Sequence, residues 1–336
     1  MARLKVEVAT ETLRFAAPFR ISGYVFETSD VVVVTLGDGM YRGRGEASGV
    51  YYMGDDVPAM CAAIERARPE IEAGPDRAAL RDILPPGGAR NAVDCALWEL
   101  EAARAGCFVW ELAGLPPPRP LRTTFTLGAD TPEAMAQAAR RDVSARSIKA
   151  KLTGELALDI ARVRAIREAR PDVWLGVDGN QGFVIDELPA LADALKTCGV
   201  SLLEQPLARG READLDGFVS PLPIAADESI LSFAELERAL GRFDIVNIKL
   251  DKCGGLTEGL MIAAAARQLG LGVMVGNMVG TSLAMAPGFI LGQLCDLVDL
   301  DGPTFLAHDR SPSVDYRDGD IWVGPEVWGS PMAVAA

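Results

Sequence analysis

The sequence predicts an α/β protein: a (β/α)8 barrel of the TIM type beneath a smaller α+β capping domain formed by the N-terminal region and the C-terminal tail. Three observations predict it. Beyond residue 120, short apolar runs of strand character alternate with helical stretches eight times. Before residue 120 the pattern is different, β first and then helical, and it ends in a proline-rich break. Polar residues also recur at the ends of the later strands, where such a barrel places its chemistry.

Each part can be justified in order. The chain has 336 residues, more than the ~250–300 at which one core stops growing, so two units are expected. The first, 1–120, begins with β pattern over 3–48, where Arg3 to Thr12 alternates, Val31 to Leu36 is β-branched, and Tyr41 to Ala47 follows a Gly-Asp-Gly turn. Helical periodicity follows over 56–72 and 88–105. Leu115-Pro-Pro-Pro-Arg-Pro120 closes the unit. The barrel, 121–310, draws strands from Thr123–Leu127, Ser147–Leu152, Val173–Val177, Ser201–Glu204, Pro223–Ala226, Ile245–Leu250, Gly272–Val275 and Leu297–Leu300. Thr131-Pro132-Glu133 reads as a helix start and Ser232 with Glu235 as a capping box. A doubly wound open sheet has the same local pattern. Residues 311–336 return to a turn-rich β pattern and are expected to pack back on the cap.

Composition excludes several classes. A net charge of −14 disfavours nucleic acid and anionic membranes as partners, because both need a basic footprint. No run approaches the ~20 apolar residues of a membrane span, and no signal-peptide pattern opens the chain, so a cytoplasmic protein is expected. Six scattered cysteines include no CxxC pair and read as free thiols. The single histidine, His308, rules out any two-histidine site. Proton chemistry must fall mainly to Lys, Asp, Glu, Tyr or Cys. Gly43, Gly45 and Gly49 imitate a dinucleotide loop with the wrong final spacing, so NAD is not expected, and PLP is not expected either.

The polar strand ends are Lys149 and Lys151, Asp178, Glu204, Asp227, Lys249, Asn277, and Asp299 with Asp301, separated by about one βα unit each. Asp178, Glu204 and Asp227 come from consecutive strands and would repel without a cation. Their all-oxygen donor set suits Mg²⁺, with Mn²⁺ second. Lys149 and Lys151, at i and i+2, point the same way. Their mutual repulsion beside a cation should lower their pKa values. Lys249 lies four strands further around a ring of eight, facing Lys151 across the metal.

Ser147-Ile-Lys-Ala-Lys-Leu152, Val177-Asp-Gly-Asn180, Glu204-Gln-Pro206, Ala226-Asp-Glu-Ser229 and Asn247-Ile-Lys-Leu-Asp-Lys-Cys-Gly-Gly255 together resemble the enolase superfamily, muconate-lactonising subgroup. Gly43-Arg-Gly-Glu46 and Asn91-Ala-Val-Asp-Cys-Ala-Leu-Trp98 resemble its cap strand and linker helix. The resemblance implies that Asp178, Glu204 and Asp227 hold Mg²⁺, that Lys151 and Lys249 are the acid/base pair with Lys149 assisting, and that Asn180, Glu228 and Asp251 stand behind the ligands. Asp299-Leu-Asp301 resembles the motif of the dipeptide epimerases, which implies that these carboxylates grip a substrate ammonium. Arg20 and Tyr24 of the cap, and Thr126 on the first barrel strand, are expected beside the substrate.

The implied reaction is inversion of the α-carbon of the C-terminal residue of a dipeptide, by two-base 1,1-proton transfer through a metal-stabilised enediolate. Within the superfamily the alternatives are an N-acylamino-acid racemase, an o-succinylbenzoate synthase or a muconate cycloisomerase. Outside it stand a Schiff-base lyase using one barrel lysine and a non-catalytic metal-binding protein with a relict site. A small-molecule substrate is expected as partner. Homo-oligomerisation is common for such barrels, but no residue here specifies it.

Overall fold

The computed structural model of the chain describes residues 3–21 and 23–329. It opens with an antiparallel meander of β1 (Lys5–Ile21), β2 (Tyr24–Gly37) and β3 (Arg42–Ala47). β1 runs nine residues past Thr12, where the alternation had been expected to end. It does so across an irregularity in its pairing with β2 between Arg14 and Phe19. The irregularity accommodates Pro18, which has no N–H to give a ladder.

Helices α1 (Val57–Arg66), α2 (Arg68–Glu72), α3 (Arg77–Ile83) and α4 (Gly88–Ala105) cover this sheet, and the short α5 (Val109–Leu112) follows. Gly43 and Gly45, the residues that imitated a dinucleotide loop, are packing devices. A Cβ at either would lie 2.1 Å from a carbonyl oxygen of α4, that of Ala96 or of Ala92. Only glycine lets β3 and α4 approach so closely.

After β4 (Leu121–Arg122) the chain alternates as expected: β5 (Phe125–Leu127), α6 (Pro132–Arg141), β6 (Ser147–Lys151), α7 (Leu156–Ala169), β7 (Trp174–Asp178), α8 (Leu188–Thr197), β8 (Leu202–Glu204), β9 (Ile224–Ala226), β10 (Ile245–Lys249), α9 (Leu250–Cys253), α10 (Leu256–Gln268), β11 (Gly272–Gly276), α11 (Ser282–Gly292) and β12 (Leu297–Val298). The eight strands β5 to β12 form one parallel sheet in sequence order. Its edges meet where Thr124 N donates to Val298 O at 2.9 Å. The sheet is thus a barrel and not the open doubly wound alternative.

Two local signals fared differently. Thr131 does cap α6, accepting from Ala134 N. Ser232 makes no side-chain cap, and the segment after it is a 3-10 helix. Glu235 is drawn away to Arg209 and to Leu231 N.

The tail contributes β13 (Asp315–Arg317) and β14 (Asp320–Trp322), which pair antiparallel and extend onto β4. Beyond them Trp328 Nε1 donates to Arg44 O and Gly329 N to Glu99 Oε1. Among the described residues no helix is long and apolar enough to cross a membrane.

Polar side chains fix the cap over one rim of the barrel. Buried Arg90 of α4 donates to Cys253 O and pairs with Glu258. Asp94 accepts from the N–H and hydroxyl of Thr257. Asp251 accepts from the N–H groups of Ser48 and Gly49. The turn that leads out of β10 is therefore tied to the cap loop lying above it.

Candidate active site

Strand geometry brings the polar strand ends together. Side chains alternate along a strand, so Lys149 and Lys151 both leave β6 toward the barrel axis. Lys151 and Asp178 are register partners on β6 and β7, and Asp178 and Glu204 on β7 and β8. Asp227 follows the last residue of β9, and Lys249 ends β10. β6 and β10 stand four places apart in the ring of eight.

One carboxylate oxygen each from Asp178, Glu204 and Asp227 lies within 4.8 Å of the others, and all three residues are buried. Lys151 Nζ donates to Asp178 Oδ2 at 2.6 Å, and Lys249 Nζ to Asp227 Oδ2 at 2.7 Å. Lys149 Nζ reaches Glu204 Oε2 at 3.1 Å and also pairs with Asp299. The triad therefore has one reacting lysine candidate on either side.

Lys249 does depress Lys149, but the net movement of Lys149 is upward. Burial would lower Lys149, but Asp299, Glu204 and Asp178 outweigh it and hold the ammonium above its ordinary value. Burial likewise opposes, and Asp227 and Glu204 overcome, a rise at Lys249. Lys149 and Lys249 each lie directly against buried carboxylates. Among the acids, burial pushes Glu204 up, with Asp178 adding to it. Asp227 moves down despite burial, because Lys249 and Lys252 both grip it.

Three buried carboxylates with hard oxygen donors fit a metal cation. Beside them Asn180 Oδ1, Glu228 Oε2 and Asn247 Oδ1 are buried without hydrogen-bond partners. Such a surplus of acceptors suits an entering cation or its water. A cavity of ≈ 370 Å³ opens over this floor, lined by Lys151, Asn180, Asp227, Glu228 and Lys249 below and by Phe19, Phe26, Tyr51 and Tyr52 of the cap above.

Comparison with known proteins agrees with this geometry. Residues 3–114 match the mandelate racemase / muconate lactonizing enzyme N-terminal domain, and residues 133–323 the enolase C-terminal domain-like model. This chain belongs to the enolase superfamily. Among its relatives in that superfamily, the L-Ala-D/L-Glu epimerase of Escherichia coli (strain K12) is 39% identical over 94% of this chain and 98% of its own. An N-acetyl-D-glutamate racemase of Pseudoalteromonas sp is 40% identical over 72% of this chain and 76% of its own. An enolase family member from Agrobacterium tumefaciens with homology to dipeptide epimerases, solved with sodium and L-Ala-L-Glu bound, superposes with a TM-score of 0.92 at 38% identity. The match covers 97% of this chain and all of that one.

Not every residue expected beside the substrate lies in the cavity of this enolase-superfamily barrel. Asp299 is buried behind it. Its carboxylate takes up Lys149 and the Thr124 hydroxyl. Asp301, also buried, accepts from Thr126 N at 2.6 Å. Burial, with Asp299 beside it, pushes Asp301 up to about 7. Thr126 and Arg20 line a separate cleft of ≈ 340 Å³. Tyr24 is half exposed and stacks on Phe26, which does line the cavity. Asn180 holds Asp178 through its backbone and side-chain N–H groups. Burial, with Asp227 and Asp178 adding, pushes Glu228 up to about 8.

Two residues of the floor escape a reading of strand ends. Asn247 Nδ2 donates to Glu204 Oε1 at 2.6 Å. It is i−2 to Lys249 on β10, so the period-2 rule that pairs Lys149 with Lys151 could have found it. Lys252 Nζ donates to Asp227 Oδ1 at 2.6 Å and to the carbonyls of Asp227 and Asn247. It sits in the one-turn helix α9, outside strand periodicity, and strand-end spacing alone gave it no role.

Proposed function

We propose that this chain is a magnesium-dependent dipeptide epimerase that inverts the α-carbon of the C-terminal residue by moving a proton between Lys151 and Lys249. The observation that carries the reading is the placement of those two ammonium groups on either side of one carboxylate triad, each paired to a different member of it. Inversion needs a proton acceptor on one face of the carbon and a donor on the other, and a lysine can be either.

Asp178, Glu204 and Asp227 would hold the ion, and Mn²⁺ would serve the same oxygen set. When bound, Mg²⁺ supplies positive charge at the substrate carboxylate, where negative charge collects as the α-proton leaves. This chain's residues do the rest. Lys149, drawn to the floor by Glu204 and Asp299, adds a second positive group there. Lys252 and Asn247 fix Asp227 and Glu204. The aromatic cap keeps water from the reacting carbon. Residues 1–120 and the tail would form the capping domain and 121–310 the catalytic barrel. Six free cysteines suit a reducing, cytoplasmic setting.

A second reading is favoured by one specific observation: Asp299 is already spent on Lys149, so a substrate lacking a free ammonium loses little here. An N-acylamino-acid racemase is that reading, and the Pseudoalteromonas relative points the same way. A substrate panel in D₂O with Mg²⁺, read by mass for α-deuterium, separates the two. Dipeptides should exchange and invert. Turnover of N-acyl amino acids with none of dipeptides would overturn the epimerase reading.

A further inference from the structure

We infer that the side chain this site accepts on the reacting carbon is apolar, aromatic or branched aliphatic, and not acidic. The inference rests on the epimerase reading above. With the substrate carboxylate at the triad and the reacting carbon between Lys151 and Lys249, the space left for its side chain is the upper part of the cavity. That space is walled by Phe15, Phe19, Phe26, Tyr51, Tyr52 and Met278, with Thr28, Ser29 and the buried, unpartnered Tyr52 hydroxyl as its neutral polar groups. The rings brace one another. The Phe26 and Tyr51 centroids are 5.2 Å apart with planes at 69°, and Tyr51 and Tyr52 are 5.2 Å apart with planes at 90°. Edge-to-face contacts of this kind make a stiff apolar wall.

Among the described residues no cation is placed to receive a side-chain carboxylate. The cavity's basic groups are Lys151 and Lys249, and each is paired to the floor. Arg20, the cap arginine that sequence pointed to, faces the separate cleft with Thr126, and its carbonyl is tied to Ala129 N at 2.9 Å.

The cap also places acids on the cavity wall, each with one oxygen engaged. Asp30 accepts from the Thr12 hydroxyl, Asp55 from Gly88 N and Asp56 from Ala59 N. They add negative potential, which turns away a second carboxylate. A glutamate γ-carboxylate would therefore give up its water for an apolar wall and unfavourable charge. A phenylalanine or leucine side chain would gain from the same burial. This contrasts with the glutamate named for the Escherichia coli relative.

The test is kcat/KM of the Mg²⁺-loaded full chain for L-Ala-L-Phe, L-Ala-L-Leu, L-Ala-L-Lys and L-Ala-L-Glu, followed by optical rotation. L-Ala-L-Phe and L-Ala-L-Leu should exceed L-Ala-L-Glu by about 100-fold, since the wall holds no unpaired cation for a carboxylate. Glutamate within about tenfold of phenylalanine, or lysine as the best substrate, overturns the inference. If no dipeptide turns over, the epimerase reading falls and takes this one with it, an outcome distinct from turnover with the wrong preference. Phe26→Ala, and separately Tyr51→Ala at the half-open rim, should each cut the L-Ala-L-Phe to L-Ala-L-Ala ratio about tenfold in a protein with unchanged circular dichroism. Folded variants that keep the wild-type ratio would place the preference elsewhere and overturn the assignment to the cap.

Discussion

Lys149 and Asp299 form a buried ion pair that ties the middle of β6 to the residue just past β12, across β5 and the seam where the barrel closes. The pair changes what an Asp299 variant can report. Asp299→Asn removes a charge that holds Lys149, so it should lower kcat/KM on dipeptides and on N-acyl amino acids alike, by about 10²-fold if Lys149 supplies one stabilising charge. Asp301 carries no such lysine. Asp301→Asn should depress dipeptide turnover selectively, since only those substrates bring an ammonium. Steady-state kinetics of both variants on both substrate types checks this. An Asp299→Asn defect confined to dipeptides would contradict the role given to the ion pair.

The triad makes the metal a measurable quantity without any substrate. Chelation should abolish activity, and Mg²⁺ should restore it more fully than Zn²⁺. In a thermal or urea melt, the ion at 100 times its Kd should stabilise the fold by ~2.7 kcal/mol. Glu204→Gln should remove most of that gain. A melt of the wild-type chain that ignores Mg²⁺ would refute the metal assignment.

How much of this was legible beforehand can be judged from particular residues. All eight barrel strands and the strand-end acids could be located, because apolar β runs and their polar termini are local patterns. The β character of the first 48 residues was legible, but clear alternation runs only from Arg3 to Thr12, so the continuation of β1 to Ile21 past Pro18 was not. The pairing of Asp299 with Lys149 was not legible, since it joins residues far apart in the chain. Lys252 was passed over for the same reason. Its partners, Asp227 and Asn247, are supplied by the barrel and not by its neighbours in sequence.

Two buried acids at the cap–barrel contact set a pH dependence of stability. Burial pushes Asp251 up to about 7 and Asp94 up to about 6. Below the ordinary carboxylate value of 3.8, folded and unfolded chains are both protonated and neither group contributes. Between there and about 7 the unfolded chain ionises first and binds fewer protons, so stability falls as pH rises, by at most ~1.4 kcal/mol per pH unit for each group. Urea unfolding from pH 5 to pH 8 should show the decline. Asp251→Asn, which keeps an oxygen for the Ser48 and Gly49 N–H groups, should make it shallower. An unchanged slope in the variant would contradict the assignment.

The central claim is that Lys151 and Lys249 serve opposite faces of one carbon. Its most direct test is α-proton exchange in D₂O with Lys151→Ala and Lys249→Ala, measured separately on the two epimers of one dipeptide. Each variant should lose epimerisation by ~10³-fold or more, within the range by which a positioned acid or base contributes. Each should exchange the proton of one epimer only, the two variants choosing opposite epimers. Both variants retaining wild-type epimerisation, or both exchanging the same epimer, would contradict the two-lysine account.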